Sequence, residues 1–338
     1  MPAFSKNSLP EHRFNVIYVE AAAFSYELTR QVIGRLPSCP VITVRHYKDV
    51  FNRANQDSGW QKAHQSLILA VKSSPFLYAG PRICQNFGFD RFFYANFMLN
   101  CPFDCAYCYL QGMYPSAHVV AFVNPDDILD AIDTVSQNEP AYLALSHDAD
   151  LMSFHGIIPY LDLLADRLDG RRHLMAEVRT KSANRAYYLS HEPTRQLVFA
   201  FSLAPEAVIR SYEQKTPSLE HRLAAIETAL DRGFSVRLCF DPIIIDPATD
   251  NCYPAFFRTI FNRIDPDRIL DVSYGFFRMP ETFYHRIARR RPDLILYHRD
   301  FEQIDTVMTY SEKDRQTVTG NHLAVIGRYV DPARIYLV

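Results

Sequence analysis

Charge of one sign, long apolar runs and a paired-cysteine framework are all missing from this 338-residue chain. Lysine and arginine total 36 against 38 aspartates and glutamates, which leaves a net charge of −2. That near-balance excludes a general electrostatic grip on nucleic acid and leaves room only for a local basic face. No apolar stretch is long enough to cross a bilayer. The opening residues, MPAFSKNSLPEHRF, contain no apolar h-region, so no signal peptide is expected. The seven cysteines are odd in number and only three are clustered, which argues for a reducing cytoplasmic location rather than a disulfide scaffold. Glycine is scarce, at 11 residues, and neither an internal repeat nor a low-complexity tract is present.

Hydrophobic residues make up 48% of the chain, enough for a sizeable core. Runs rich in β-branched and aromatic residues at 14–19, 41–44 and 66–71 predict strands. A helix is predicted over 25–36, where Leu28, Val32, Ile33 and Leu36 share one side. Residues 45–63 read as polar and irregular, and residues 76–100 as aromatic-rich with little pattern. From there helix and strand signals alternate. Helices are predicted at 125–135 (with Asn124 as N-cap before Pro125), 157–168, 185–189, 219–232, 255–263 and 281–290. Strands are predicted at 141–145, 173–178, 197–203, 234–245 and 269–274. Such alternation argues for parallel strands with crossover helices. Roughly six units fall between residues 91 and 300, fewer than the eight of a closed (β/α)8 barrel. The expected fold class is α/β: a partial (β/α)6 TIM-like barrel. The expected organisation is an N-terminal α/β extension over 1–90, the barrel over 91–300, and a C-terminal segment over 301–338 on or near the barrel mouth. Within that segment, 316–320 is expected to be a loop and 323–329 a strand.

Cys101, Cys105 and Cys108 form a C-x-x-x-C-x-x-C tripod. Three thiolates at this spacing suit three irons of a 4Fe–4S cluster. The fourth iron is then open to a chelating molecule, and S-adenosylmethionine (SAM) on an open iron initiates radical chemistry. Zinc is the competing reading, but it usually takes four protein ligands, and no second close Cys or His pair follows. Tyr107 and Tyr109 flank Cys108 and either shield a cluster from water or lie against an adenosyl group and pass a hydrogen atom. Strand ends carry further candidates. These are His147, Asp148 and Asp150 in the run SHDAD, Lys181 after Arg179-Thr180, and Ser202 after LVFAF. The ordinary roles for these are capping of turns by the aspartates, a solvated lysine and a buried serine. Arg237, Cys239 and Asp241 alternate along one strand face, which is either the barrel lumen or a wet open edge. Basic runs at 171–173, 285–291 and 298–299 read as solvated surface, yet they are the only stretches suited to phosphate.

The segment CAYCYLQ, from Cys105 to Gln111, resembles the spore photoproduct lyase family of radical SAM proteins, as do VIYVE ending at Glu20, SLILAVKS, Thr180-Lys181, Phe201-Ser202 and EQKTPSLEHR from Glu213 to Arg222. The resemblance implies a radical-SAM partial barrel in which Cys101, Cys105 and Cys108 hold the cluster. It places Tyr107 near SAM and makes Tyr109 a hydrogen-atom relay. Asp150, Lys181 and Ser202 become cofactor contacts, and Asp241, from its strand face, is a further candidate contact. It further implies a 5′-deoxyadenosyl radical, an external electron donor of flavodoxin or ferredoxin type, damaged DNA as substrate and no membrane. The family places a hydrogen-donating cysteine just after the second barrel strand, where this sequence has His147. An imidazole N–H is a poor hydrogen-atom donor, so Cys239 becomes the first substitute, with Cys84 and Cys252 behind it. The alternative is radical chemistry on a non-DNA substrate. A non-catalytic cluster- or zinc-bearing nucleic-acid-binding protein is not favoured by the charge balance.

Overall fold

The computed structural model describes residues 14–135, 139–246 and 250–338. Two sheets organise them. The first has five strands in the order Val41–Val44, Ile17–Glu20, Leu67–Ala70, Val119–Phe122 and Met98–Leu99. The first four are parallel and the last is antiparallel. Its central strands, LILA and VVAF, are apolar throughout and buried on both faces, the pattern expected of parallel strands covered on two sides. The helix Glu27–Arg35 makes the first crossover and buries Leu28 and Val32.

The second sheet contains six parallel strands whose spatial order follows the chain: Phe92–Ala95, Ala141–Ala144, Leu174–Thr180, Leu197–Ser202, Ser235–Ile243 and Asp271–Phe276. Leu77–Ala79 adds an antiparallel strand at one edge and Ile335–Leu337 a parallel one at the other. The two edges do not pair, so the structure is the expected partial α/β barrel, open at one side. Helices Tyr160–Leu168, Leu219–Asp231 and Tyr253–Arg263 lie among its crossovers. One apolar core runs from Phe14 to Val330 across both sheets.

Several expectations are corrected. Residues 316–320 are helical and not a loop, and 323–326 close the same helix, Glu312–Ile326, with 327–329 a turn after it and not strand. Ser311 caps it by accepting from the Asp314 amide at 3.1 Å, and His322, Val325 and Ile326 are buried where it meets helix Tyr253–Arg263. The apolar run LAVIGRY begins in the buried end of that longer helix, which is why it mimics a strand. Residues 76–100 hold three short strands, and residues 45–63 hold the helices Lys48–Phe51 and Ser58–Ala63. Asn124 does not cap the helix Pro125–Val135 through its amides. Its side chain instead bridges the backbone N–H and C=O of Lys72 at 2.8 and 2.9 Å. Among the described residues no helix is long and apolar enough to cross a membrane.

Candidate active site

The cysteine loop begins where the chain leaves the barrel strand Phe92–Ala95, joins the first sheet through Met98–Leu99 and turns at Asn100, whose φ is 69°. The Asn100 amide anchors that turn by donating to the carbonyls of Ser116 and His118, both at 2.7 Å. The loop's own carbonyls are then satisfied from several elements. The buried Lys62 Nζ donates to Cys101 O at 2.9 Å and Phe103 O at 2.6 Å. Gln65 adds a bond to Cys101 O at 3.1 Å. Asp104–Cys105 pairs antiparallel with Glu213–Gln214, and Gln111 reaches back to Cys105 O at 2.8 Å. Gln111 is itself held by Arg291 at 3.0 Å. Gly112 lies against helix Glu281–Arg290, where an added Cβ would come within 2.6 Å of the Phe283 backbone. The glutamine of CAYCYLQ and the glycine after it therefore serve the loop's shape.

The loop forms one wall of a cavity of about 420 Å³ at the C-terminal ends of the barrel strands, the end where barrels of this class carry their sites. Cys101, Cys105, Cys108, Tyr107 and Tyr109 line that wall, and His147, Asp150, Lys181, Ser202 and Asp241 line the strand ends. Of the candidates expected from sequence, Asp148, Arg237, Cys239 and Cys252 do not line it. Cys239 shares the lumen face of its strand with Arg237 and Asp241, but it is fully buried below the cavity, and burial pushes its thiol up to about 12. Cys252, at the start of helix Tyr253–Arg263, does not line the cavity either. Cys84, ranked behind Cys239 from sequence, does line it. Sequence reasoning missed Tyr94 and Arg278, which also reach the cavity; each follows or ends a strand with no local motif to mark it.

The donor set fits a cluster better than a single ion. Among the described residues, the set of three His, Cys, Asp or Glu ligand atoms that gathers within 4.8 Å is His155, Asp162 and His191, not the three cysteines. A lone zinc at about 2.3 Å from each sulfur would draw thiolates to about 3.8 Å apart. A four-iron cube places each thiolate on a separate iron. Burial pushes all three thiols up, so the pocket demands a cationic partner for the thiolates. Lys181 supplies part of that charge. Burial opposes its ammonium, but Cys105 and Glu213 outweigh burial and hold it charged. Its Nζ also lies 5.4 Å from the Tyr107 ring centroid.

Behind the loop runs a buried polar chain. Tyr107 donates its hydroxyl to Glu213, which pairs with Arg222. Arg222 also donates to Ser202 O and Pro217 O, both at 3.0 Å, and to Thr216 Oγ1 at 2.7 Å. Arg222 and Glu213 are 0% and 2% exposed, so only a fully paired geometry is tolerable there. The segment from Glu213 to Arg222 is therefore support for Tyr107 and the cysteines. Asp150 plays a similar part on the strand side. It caps helix Leu151–Phe154 through the Ser153 amide at 3.0 Å and accepts from Thr180 Oγ1 and the Lys181 amide, both at 2.8 Å. Its carboxylate thus fixes the backbone that aims Lys181.

The facing wall centres on His147, which follows strand Ala141–Ala144. Its Nδ1 is 2.7 Å from Asp148 Oδ1, and its ring stacks on Tyr94 at 4.3 Å. Tyr109 donates its hydroxyl to His147 O, and Tyr114 donates to Asp148 Oδ2 at 2.7 Å. Burial opposes the imidazolium, but hydrogen bonding to Asp148 and Cys84 and the Asp148 charge push its pKa up to about 9. Asp241 is held between Arg179 at 3.3 Å and Arg278 at 2.9 Å. Arg278 also donates to Ile83 O at 3.1 Å, which ties the Cys84 segment to the cavity rim. Below lies a closed layer in which Arg237 pairs with Glu177 at 2.7 Å and Asp271 at 2.5 Å. The strand Ser235–Ile243 has neighbours on both sides, so its polar face is the lumen and not a wet edge.

Part of the basic runs is spent on bonds within the molecule, while Arg172, His173, His285, Arg289, Arg290 and His298 stay exposed. Arg286 donates to Gly112 O at 2.5 Å and Arg290 to Tyr114 O at 3.2 Å, so with Arg291 they brace the helix Leu110–Met113. Arg299 pairs with Asp246 at 2.6 Å and Arg171 with Asp133 at 2.7 Å.

Comparison with known proteins is consistent with this geometry. A family model described as spore photoproduct lyase matches residues 12–330. The spore photoproduct lyase of Bacillus subtilis (strain 168) is 21% identical over 238 residues, which is 69% of this chain and 66% of that enzyme; the match thus spans just under two thirds of the relative. Among solved structures, a spore photoproduct lyase complexed with dinucleoside spore photoproduct superposes with a TM-score of 0.81 at 16% identity, over 96% of this chain and 98% of that one. A mutant of such a lyase with bound AdoMet and dinucleoside spore photoproduct gives a TM-score of 0.78 at 17% identity over the same shares. With its barrel, its cysteine loop and a family match over nearly its whole length, the chain belongs to the spore photoproduct lyase family.

Proposed function

We propose that this protein is a radical-SAM enzyme that reverses a thymine-dimer lesion in DNA. The observation that carries the reading is the gathering of Cys101, Cys105, Cys108, Lys181 and Ser202 around one cavity at the barrel mouth. Cys101, Cys105 and Cys108 would hold a 4Fe–4S cluster, which with SAM and an external electron donor would supply a 5′-deoxyadenosyl radical. Lys181 is placed to pair with the SAM carboxylate, and Ser202 presents a hydroxyl on the same side. Tyr107, fixed by Glu213, shields the loop from water. A lesion must leave the base stack to enter.

The product needs a hydrogen atom at the end, and a thiol S–H gives one far more readily than an imidazole N–H. Cys84 is the thiol of the far wall, beside His147 and Tyr109. In this reading the Cys84 S–H bond breaks and a C–H bond forms on the product. The Tyr109 O–H is the neighbouring source that would refill the thiyl, and the 5′-deoxyadenosine formed in the first abstraction would return a hydrogen atom to the tyrosyl oxygen.

Radical chemistry of the same kind on a non-DNA substrate is the second reading, favoured by the net charge of −2 and by the use of Arg286, Arg291 and Arg299 in bonds within the molecule. Anaerobic turnover of SAM with a dinucleoside thymine photoproduct separates them. Repair to thymines supports the first reading. SAM cleavage without repair supports the second. No SAM cleavage by cluster-loaded protein contradicts both.

A further inference from the structure

On the outer side of the barrel, three half-buried side chains converge from three crossover segments. His155 follows helix Leu151–Phe154, Asp162 lies in the first turn of helix Tyr160–Leu168, and His191 follows helix Ala186–Ser190. Asp162 Oδ1 is 3.0 Å from His191 Nε2 and 3.6 Å from His155 Nδ1, and all three ligand atoms lie within 4.8 Å of one another. Ligands of a tetrahedral zinc, at about 2.0–2.1 Å from the ion, stand about 3.3 Å apart. The side chains are therefore close to a binding arrangement without an ion.

Two further observations point to a ligand. The first is the state of His191. Its Nδ1 lies 2.9 Å from both the Tyr187 carbonyl and Ser190 Oγ; with Nδ1 donating to the carbonyl, which can only accept, Nε2 presents its lone pair to the cluster. Such an outer hydrogen bond is how metal-binding histidines are oriented. The second is a group of orphaned polar atoms. His155 Nδ1 and the hydroxyl of Tyr187 are buried without a hydrogen-bond partner, and buried Asp162 Oδ1 makes no hydrogen bond beyond its ion-pair contact with His191 Nε2 at 3.0 Å. Tyr187 is 0% exposed, its ring stacks on His191 at 4.3 Å, and its phenol feels the charge of Asp162. Buried polar atoms are normally satisfied, and one ion with a bound water would satisfy all three. Arg35 contributes an opposing positive charge near His155, and Asp166 a negative one near Tyr187.

We propose that His155, Asp162 and His191 form a structural binding site for a divalent first-row metal ion, zinc being the best match to two imidazoles and one carboxylate, with water in the remaining position. The ion would clamp three crossovers together. One of them begins at Asp150, the residue that fixes Lys181 in the cavity. The site is independent of the radical chemistry, so neither proposal depends on the other.

The test is equilibrium dialysis of the cluster-loaded protein against Zn²⁺, followed by zinc and iron analysis. The expected result is one zinc per chain with iron unchanged. Asp162→Asn and His191→Gln should each weaken zinc binding by about 100-fold or more, since even outer-shell changes cost about 10–100-fold. In the unaltered protein, zinc-edge X-ray absorption should show nitrogen and oxygen at about 2.0–2.1 Å with imidazole scattering. No zinc beyond the cluster, zinc gained only as iron is lost, a sulfur shell at about 2.3 Å, or unchanged affinity in both variants overturns the proposal.

Discussion

The two walls of the cavity are built on different principles. The cysteine wall is held by its backbone. Lys62, Gln65, Gln111 and Arg291 fix its carbonyls or each other, a strand pair backs it, and the buried Tyr107–Glu213–Arg222 chain fills the space behind. The facing wall is held by side chains. His147 pairs with Asp148, Tyr109 and Tyr114 reach across from the cysteine side to bond His147 and Asp148, and Arg278 ties in the Cys84 segment. The difference suggests a division of labour. Under the proposed function, the loop that presents three thiolates needs one rigid shape, and the wall proposed to exchange hydrogen atoms needs polar side chains next to a thiol.

The comparison can be broken most completely on the cysteine wall. Cys105→Ala should abolish both the iron–sulfur absorbance and SAM cleavage, and retention of either would break the assignment. Next in size is the support behind that wall. Arg222→Met leaves Glu213 buried without its partner, which should cost about 3–5 kcal/mol in a denaturant melt; a loss under 1 kcal/mol would mean the pair is dispensable. On the facing wall the effect is smaller and pH-dependent. His147 titrates near 9 in the folded chain and near 6.5 when unfolded. Its contribution, about 3 kcal/mol, is therefore fully present below pH about 6.5 and fades as pH rises through about 9. Asp148→Asn should flatten that slope and bring the His147 midpoint, followed by NMR, down from about 9; an unmoved midpoint would exclude Asp148 as its cause. Smallest is Gly112→Ala, where overpacking against Phe283 should cost about 1–3 kcal/mol and lower cluster occupancy.

The same contrast explains what the sequence revealed. Cysteines at fixed spacing within one loop are local, and CAYCYLQ carried the cluster reading with it. The six parallel strands were legible because each is a short apolar run between helices. Residues 323–329 misled because a short apolar run at a helix end carries the same local signal as a strand. The segment Glu213–Arg222 was recognisable as a likeness, but its role required knowing that its two ends meet behind Tyr107. Cys84 and Arg278 lie far apart in sequence and carry no motif, so only the folded chain brings them to the cavity. Cys239 shows the converse: strand alternation placed it correctly on the lumen face, and depth in the barrel, which alternation does not report, keeps it out of the cavity.

The most direct test of the divided cavity is repair of the dinucleoside photoproduct in deuterated buffer by the cluster-loaded protein and its Cys84→Ala variant. The account predicts deuterium in the product of the unaltered protein, and loss of normal product with SAM cleavage retained in the variant. Normal deuterated product from Cys84→Ala, or its loss only in Cys239→Ala, would contradict it.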